Sequence, residues 1–380
     1  MKKISKQTLV AVLMLLAIIT TCLPAAACEL PPGLSPNTCY DSAADQVSPP
    51  LTPVSPRVEA ALAATAQKIL SQDTLSDWEA LGLVRAGKAL PEGYFEQLEA
   101  RIKENQGNFR KVTDYERLIL VVTALGKDAT NVAGFDLLSR IYNNDNMLLQ
   151  GNNGPIFALI ALDSGEYQVP LTAKWNREKL ISYLLEQQLS DGGFPLVPGV
   201  SGDVDITAMA VQALAPHQAD EKIGLAIEQA VSFLASKQSS HGGFITWGGD
   251  NSESVAQVIM ALTALGIDPV HDLRFVKDGT SLVDKLLAFE DGPGGFAHIK
   301  EEGANRMATE QAFMALVAYD RFCQGLSPFH HLKEECLDYP GPTLGEGGTR
   351  CDYSKTADCC SYPIFNCSCC SDRLRLLSRP

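Results

Sequence analysis

Cysteine is missing from residues 58–322 of this 380-residue chain, although eleven cysteines occur in all. This long stretch must therefore be stable through burial of apolar side chains alone, and about 270 residues are ample for that. The same gap removes the thiolate ligands of a typical zinc site, and the histidines of the stretch are scattered in predicted turns. We therefore expect no metal site, and no Walker loop or Gly-x-Ser-x-Gly run is found either.

Positive charge is also in short supply. The chain has 45 Asp and Glu against 31 Lys and Arg, which gives a net charge of −14 at pH 7. Nucleic acids and anionic membrane surfaces attract clustered Lys and Arg, so we expect neither as a partner. Beyond the N-terminus, no apolar run reaches the length of about 20 residues that a membrane-spanning helix needs.

Residues 1–27 have the composition of a secretory signal peptide. Three lysines precede a short apolar run, and residues 24–27 read Pro-Ala-Ala-Ala before a predicted cut site. The sequence thus predicts an exported protein, secreted or held at the cell surface. Cys28 follows the cut site and is a candidate for a lipid anchor, which would be the only membrane attachment. Residues 28–56 are rich in Pro and Ser and predict an extended tether, or a loop closed by a Cys28–Cys39 disulfide.

What the chain does have is an internal repeat. The motif Gln-x-x-x-Gly-Gly-Phe occurs at residues 188–194 and 238–244 and, with Glu in first place, at 290–296. An apolar run ending in Ala-Leu follows each copy, and two weaker copies precede them. Such self-similarity indicates one helix–turn–helix unit used several times, each burying its apolar face against its neighbours.

Helical periodicity predicts twelve helices between residues 57 and 326. Residues 221–237 place their apolar side chains on one stripe, as a surface helix does, whereas residues 206–214 and 255–262 are apolar nearly all round. Six pairs of an outer helix and a buried inner helix predict an all-α fold, a double-layered (α/α)6 toroid without strands in its core.

Residues 327–380 differ in character from the toroid. They contain seven of the eleven cysteines and show no helical period. The sequence predicts an irregular Cys-rich tail, which is either a small disulfide-stapled module or an abnormal terminus.

The repeat motif and the run Asp-Val-Asp-Ile-Thr-Ala-Met-Ala at residues 203–210 resemble the terpenoid-cyclase/protein-prenyltransferase toroid superfamily. Residues 251–257 and 307–311 are closer still to exported bacterial proteins with prenyltransferase/squalene-cyclase-type repeats. These proteins are similar in turn to the α-domain of intrinsic factor and transcobalamin. The resemblance covers about residues 58–325 and implies the fold more specifically than the function.

The resemblance to the α-domain implies a binding protein. Inner helices of a toroid begin around a shared mouth, where polar side chains would hold a corrinoid-like ligand, or a protein partner, without catalysis. Carried over by position, the binding residues would be Asp205, Glu253, Gln257, Trp247, Asn152, Asn153, Glu310 and Gln311. This exported, non-catalytic binding protein, with a corrinoid as a possible ligand and no certain cofactor, is the leading expectation.

The alternative is an isoprenoid enzyme. Class II terpene cyclases carry Asp-x-Asp-Asp-Thr-Ala at this place, and the middle Asp protonates an alkene or epoxide. The resemblance makes Asp205 the general acid and Asp203 its neighbour, but Ile206 replaces the third Asp. A single toroid and an aromatic content of 7% also argue against a cavity that shelters carbocations. In a purely structural role, Asp205 would cap its helix and contribute about 1 kcal/mol, with Ser252 and Thr309 suited to the same role.

Overall fold

The computed structural model describes residues 53–246 and 248–333. The predicted signal peptide with Cys28, most of the predicted tether, and the Cys-rich tail from residue 334 onward lie outside the described residues, as does Trp247.

Twelve α-helices lie within the described part of the chain, which confirms the predicted number. In chain order they are α1 (Pro56–Leu70), α2 (Asp77–Arg85), α3 (Tyr94–Glu104), α4 (Val112–Ala124), α5 (Leu137–Tyr142), α6 (Asn153–Ser164), α7 (Arg177–Gln187), α8 (Val204–Leu214), α9 (Glu221–Lys237), α10 (Ser252–Ala264), α11 (Leu282–Leu287) and α12 (Arg306–Cys323). A 3-10 turn, Ala215–His217, follows α8. The helices α5 and α11 begin later than predicted, because the Val132–Phe135 and Lys277–Thr280 bridges close short loops just before them.

The even-numbered helices form a closed inner ring. Each of α2, α4, α6, α8 and α10 packs against the next even-numbered helix, and α12 closes the ring by packing against α2. Outside the ring, α5, α7, α9 and α11 pack on the inner helices that precede them, and α1 packs on α12. This arrangement confirms the all-α toroid of inner and outer helices.

Burial explains the two helix types. In α10 every residue from Ser252 to Thr263 is buried, whereas in the outer helix α3 only Leu98 and Ile102 are. A helix that is covered on all sides gains from apolar residues on all faces, and a surface helix gains from one stripe only. The alternation read from the sequence is therefore the alternation of the two layers.

The glutamine of the repeat motif ties each turn to the following outer segment. Gln188 Nε2 donates to the carbonyl oxygens of Gly192 at 3.0 Å and of Ala226 in α9 at 2.7 Å. Gln238 Nε2 does the same with Gly242 and Phe275, both at 2.9 Å. Because buried carbonyl groups need donors, the motif satisfies two of them with one side chain and fixes the turn against its neighbour.

The first glycine of the motif is required by its conformation and its surroundings. Gly192 has φ +88°, and a Cβ there would lie 2.3 Å from the carbonyl oxygen of Gln229. A side chain at this position would be strained and would push the next outer helix away. The phenylalanines that end the three motif copies are fully buried, namely Phe194, Phe244 and Phe296.

Two short antiparallel hairpins, which the sequence did not predict, precede α10 and α12. Strands β1 (Ile245–Thr246) and β2 (Gly249–Asp250) pair with each other, as do β3 (Phe296–Ala297) and β4 (Ala304–Asn305). Two residues per strand are too few for a periodic signal. The hairpins hold the chain just before two inner helices and so help to place their first turns.

None of the helices described is long and apolar enough to cross a membrane.

Candidate functional site

The first turns of three inner helices meet at one opening of the ring. Asp205 of α8, Glu253 of α10 and Gln311 of α12 line a cavity of about 500 Å³ together with Asn251 and His298. We call this space the mouth cavity. Three of the residues proposed from the sequence as ligand-binding thus share one space.

A second space, the central hollow, has a volume of about 250 Å³ and is lined by all six inner helices. Four of the proposed residues line it: Asn153, Gln257, Glu310 and Gln311. Gln311 lines both spaces, so the central hollow adjoins the mouth cavity.

Helical spacing carries the lining inward from the mouth. On an α-helix, residues four and seven positions apart lie on the same face. Below Asp205, Glu253 and Met307 at the mouth, the lining therefore continues with Met209 and Gln212 on α8, Gln257 and Met260 on α10, and Gln311 and Met314 on α12.

The lining of the central hollow combines amides with apolar groups. Gln212 Nε2 donates to Gln257 Oε1 at 2.9 Å, and Gln257 Nε2 donates to Gln311 Oε1 at 3.1 Å. On the other side, the rings of Trp78 and Phe157 lie 5.5 Å apart, centroid to centroid. The three amides are linked to one another across three helices. The aromatic and methionine side chains line the hollow beside the polar groups of Thr113, Arg117, Asn153 and Glu310.

The residues expected at the rim do not all lie there. Asn153, Gln257 and Glu310 line the central hollow and not the mouth cavity, and Asn152 lines neither space. Asn152 is fully buried, donating from Nδ2 to the carbonyl oxygen of Pro195 at 2.8 Å and accepting from the Tyr183 hydroxyl at 3.2 Å. Its amide joins α6 to the next turn and lines neither the mouth cavity nor the central hollow, contrary to the expectation that it lies at the rim. Trp247 lies outside the described residues.

Asp205 does not cap its helix, which corrects the structural role expected for it. The N-cap of α8 is Asp203, whose Oδ1 accepts from the backbone N–H of Ile206 at 3.0 Å. Asp205 lies two residues later, inside the first turn. The carboxylate of Asp205 is therefore not used as the hydrogen-bond acceptor that caps the helix.

In α10 and α12 the N-cap also lies earlier in the chain than the residue expected to provide it. Asn251 caps α10 and Asn305 caps α12, so Ser252 and Thr309 were wrongly expected to do so. Thr309 instead accepts from the backbone N–H of Phe296 at 3.0 Å. Ser252 Oγ donates to the carbonyl oxygen of Ala297 at 2.8 Å.

The carboxyl group of Asp205 is poised to hold a proton. Its Oδ1 is buried and has no hydrogen-bond partner within the part of the chain that the structure describes. Burial raises the pKa of Asp205 to about 6, and the negative charges of Asp203 and Glu253 act in the same direction, whereas Ser254 and His298 lower it. An acid with this pKa keeps its proton over much of the mildly acidic range.

The neighbouring carboxylate, Glu253, has partners at one of its two oxygens. Its Oε2 lies 2.7 Å from Nδ1 of His298 and accepts from Ser252 Oγ at 3.1 Å. The two acids at the mouth therefore differ in environment: Glu253 lies against an imidazole ring, whereas Asp205 has one buried oxygen without a hydrogen-bond partner among the described residues. His298 directly follows β3 and is one of the histidines that the sequence places in predicted turns. Its place just after the third Gly-Gly-Phe copy is the signal that would have marked it.

Glu310 is a second carboxyl group with a raised pKa. Burial raises the pKa of Glu310 to about 7, opposed by the hydroxyl of Ser76, which donates to its Oε2, and by the charges of Arg306 and Arg117. Glu310 lines the central hollow and not the mouth cavity. Over residues 53–246 and 248–333, no group of three or more His, Cys, Asp and Glu side chains is arranged to hold a metal ion.

Comparison with known proteins adds a direct finding. No protein-family model matches the chain. A segment of 136 residues is 29% identical to drimenyl diphosphate synthase of Streptomyces showdoensis and covers 35% of this chain and 25% of that protein. A segment of 138 residues is 27% identical to drimenyl diphosphate synthase of Streptantibioticus cattleyicolor, with the same coverage of both chains. The chain thus spans about a quarter of the length of the curated relatives it matches.

This similarity corrects the leading functional expectation. Both relatives are named for an enzymatic activity and are consistent with the terpenoid cyclase superfamily. The expectation of a non-catalytic protein that holds a corrinoid-like ligand or a partner is contradicted by them and is wrong. The isoprenoid-enzyme alternative is the better supported of the two.

Proposed function

We propose that this toroid carries the acid of a protonation-initiated isoprenoid cyclase and that Asp205 is the proton donor. The observation that carries the proposal is the buried, unpartnered Oδ1 of Asp205 on the wall of the mouth cavity. The names of the two relatives support the same reaction class.

The reaction needs no co-reactant. Asp205 transfers its proton to one carbon of a terminal alkene, and the other carbon becomes a tertiary cation. The next double bond of the same chain attacks that cation, forming a ring carbon–carbon bond and moving the charge along the chain. Loss of a proton from the last cation leaves a cyclic isomer of the substrate, so atoms and charge balance.

The surroundings of Asp205 suit this step. After proton transfer its carboxylate lies in the first turn of α8, where the helix dipole favours negative charge. The side chain of Ser254 also lowers the pKa, which means that it stabilises the ionised form. Burial and the charge of Glu253 act oppositely and keep the proton in place until substrate arrives. General acids work best when their pKa lies near the operating pH.

The central hollow provides the surface for the cation. The ring faces of Trp78 and Phe157 attract positive charge, and the thioethers of Met209, Met260 and Met314 are polarisable. The overall aromatic content is low, but the aromatic residues Trp78 and Phe157 lie in the space into which the substrate chain would extend from Asp205.

The absence of the third Asp of the class II motif is compatible with this proposal. Ile206, which stands at that position, is buried at 5% exposure in the apolar core cluster. The second negative charge that acts on Asp205 is supplied by Glu253 of the next inner helix. We therefore assign Glu253 the role of a charged neighbour that holds the proton on Asp205.

The test is turnover in deuterated water. The full chain is incubated with farnesyl diphosphate, geranylgeranyl diphosphate or squalene, and the products are analysed by mass spectrometry. We expect a cyclic isomer that carries one solvent deuterium on the carbon that was protonated. If none of the three substrates yields a cyclic product, the proposal fails.

Two variants locate the acid. Asp205→Asn keeps the size of the side chain but has no proton to give, and we expect turnover to fall by about 100-fold or more. Asp220→Asn is the matched control, because Asp220 caps the outer helix α9 and Asn caps equally well. Unchanged turnover and products in Asp205→Asn would assign the acid to another group.

A further inference from the structure

A short segment closes the end of the ring opposite the mouth. Residues 326–333, which we call the strap, follow α12 and cross the C-terminal ends of the inner helices. Arg85 at the end of α2 donates to the carbonyl oxygen of Pro328 at 2.9 Å, and the N–H of Leu332 donates to the carbonyl oxygen of Ser164 at the end of α6 at 2.8 Å. The strap is thus held on two sides of the barrel.

The strap covers a third cavity. This distal cavity has a volume of about 450 Å³ and a mixed lining. Its apolar side chains are Ile160, Ala213, Ala215, Pro216, Met260, Ala264, Pro328 and Phe329, and the polar side chains of Asp163, Glu166, His217 and Gln218 also line it. Part of its lining comes from the last turns of α6, α8 and α10, and the rest comes from the 3-10 turn after α8, adjoining loops and the strap. The distal cavity therefore lies at the far end of three of the helices that line the central hollow.

Three side chains line both spaces and therefore separate them. They are Gln212 of α8, Met260 of α10 and His330 of the strap. The His330 ring is held edge-on against Phe329, with 5.1 Å between the centroids. Burial and the nearby charge of Arg85 lower the pKa of His330 to about 3, so the ring is uncharged at neutral pH. An uncharged ring is compatible with a hydrocarbon chain beside it.

The volumes of the two cavities show why the side chains between them matter. The central hollow, at about 250 Å³, is smaller than the range of about 300–1,000 Å³ usual for small-molecule sites. The distal cavity is the larger of the two. Whatever separates them decides how much of a long hydrocarbon chain can be enclosed.

We propose that His330, together with Met260, is the floor of the central hollow and sets the length of the isoprenoid chain that the site accepts. The proposal rests on the proposed function for the class of ligand. It assigns the distal cavity as hydrocarbon space that a longer chain enters only when this floor is lowered.

The test measures binding without turnover. In the Asp205→Asn background of the full chain, geranyl, farnesyl and geranylgeranyl diphosphate are titrated by calorimetry. His330→Ala should shift the preference toward the longest chain by about tenfold or more relative to the shortest, since each buried methylene is stabilising. His331→Ala is the matched control, because His331 is an exposed strap residue that lines the distal cavity but not the central hollow.

Met260→Ala lowers the same floor from α10 without altering the strap, so it tests the proposal if His330→Ala fails to fold. If both variants bind measurably with an unchanged length preference, His330 and Met260 do not set the chain length, and the proposed function is unaffected. Absence of binding for all three chains would overturn the proposed substrate class, and the floor with it.

Discussion

The carboxyl group of Asp205 should destabilise the folded chain at neutral pH. Its pKa rises from 3.8 in an ordinary setting to about 6 in the fold. At about 1.4 kcal/mol per pKa unit, this corresponds to at most about 3 kcal/mol of folding free energy. The cost is absent below the unfolded pKa, grows as pH rises toward 6, and is complete above it. The opening of the mouth cavity to water reduces it, so we expect about 1–3 kcal/mol.

Asp205→Asn should therefore be more stable than the parent chain at pH 7. The difference should be smaller by about 1 kcal/mol at pH 5, where less of the carboxyl group is ionised. Urea unfolding of the full chain at pH 5, 6, 7 and 8, followed by circular dichroism, measures it. Asp220→Asn, a cap far from the mouth, is the control and should show no such trend. An Asp205→Asn chain that is less stable than the parent at pH 7, or whose difference does not grow with pH, would refute the reasoning.

Three further predictions concern the framework around the site, each measured by urea unfolding. Asp203→Ala should lower stability by about 0.5–2 kcal/mol because the cap of α8 is lost, whereas Asp203→Asn should not; equal effects would contradict the cap. Gln238→Ala should cost about 1–3 kcal/mol, since it leaves two buried carbonyl groups without a donor; a neutral result would show that the motif glutamine is dispensable. Gly192→Ala should cost at least about 2 kcal/mol because of its positive φ and the Gln229 carbonyl; a stable variant would show that the outer helix can move.

The fold was predictable because its signals are long and repeated. The apolar runs of α8 and α10 extend over more than two helical turns, and the Gly-Gly-Phe turns precede three of the six inner helices, α8, α10 and α12. The features that the sequence did not predict are short segments. The loop before α5 closes through the Val132–Phe135 bridge, and a segment of this length has no detectable hydrophobic period. Strands of two residues, such as β3 and β4, carry none either.

The site was predictable only where position along an inner helix decides exposure. Asp205, Glu253 and Gln311 all lie near the starts of inner helices, so the internal alignment brought them together correctly. Asn152 misled the same alignment, because its partners Pro195 and Tyr183 come from segments about 30 to 45 residues away. Long-range partners of a single amide cannot be read from a local pattern.

The N-cap of α8 and the proposed acid lie two residues apart, as Asp203 and Asp205. Both are aspartates, so the sequence alone does not distinguish their roles. An N-cap side chain accepts from the N–H group three residues later, and Asp203 does so with Ile206. Asp205 is thereby released from the backbone and faces the mouth. Ile206 packs into the core, so a carboxylate at that position would not share the environment of Asp205. The position of the missing third Asp is therefore part of the core, whereas the charge of Glu253, on another helix, acts directly on the carboxyl group of Asp205.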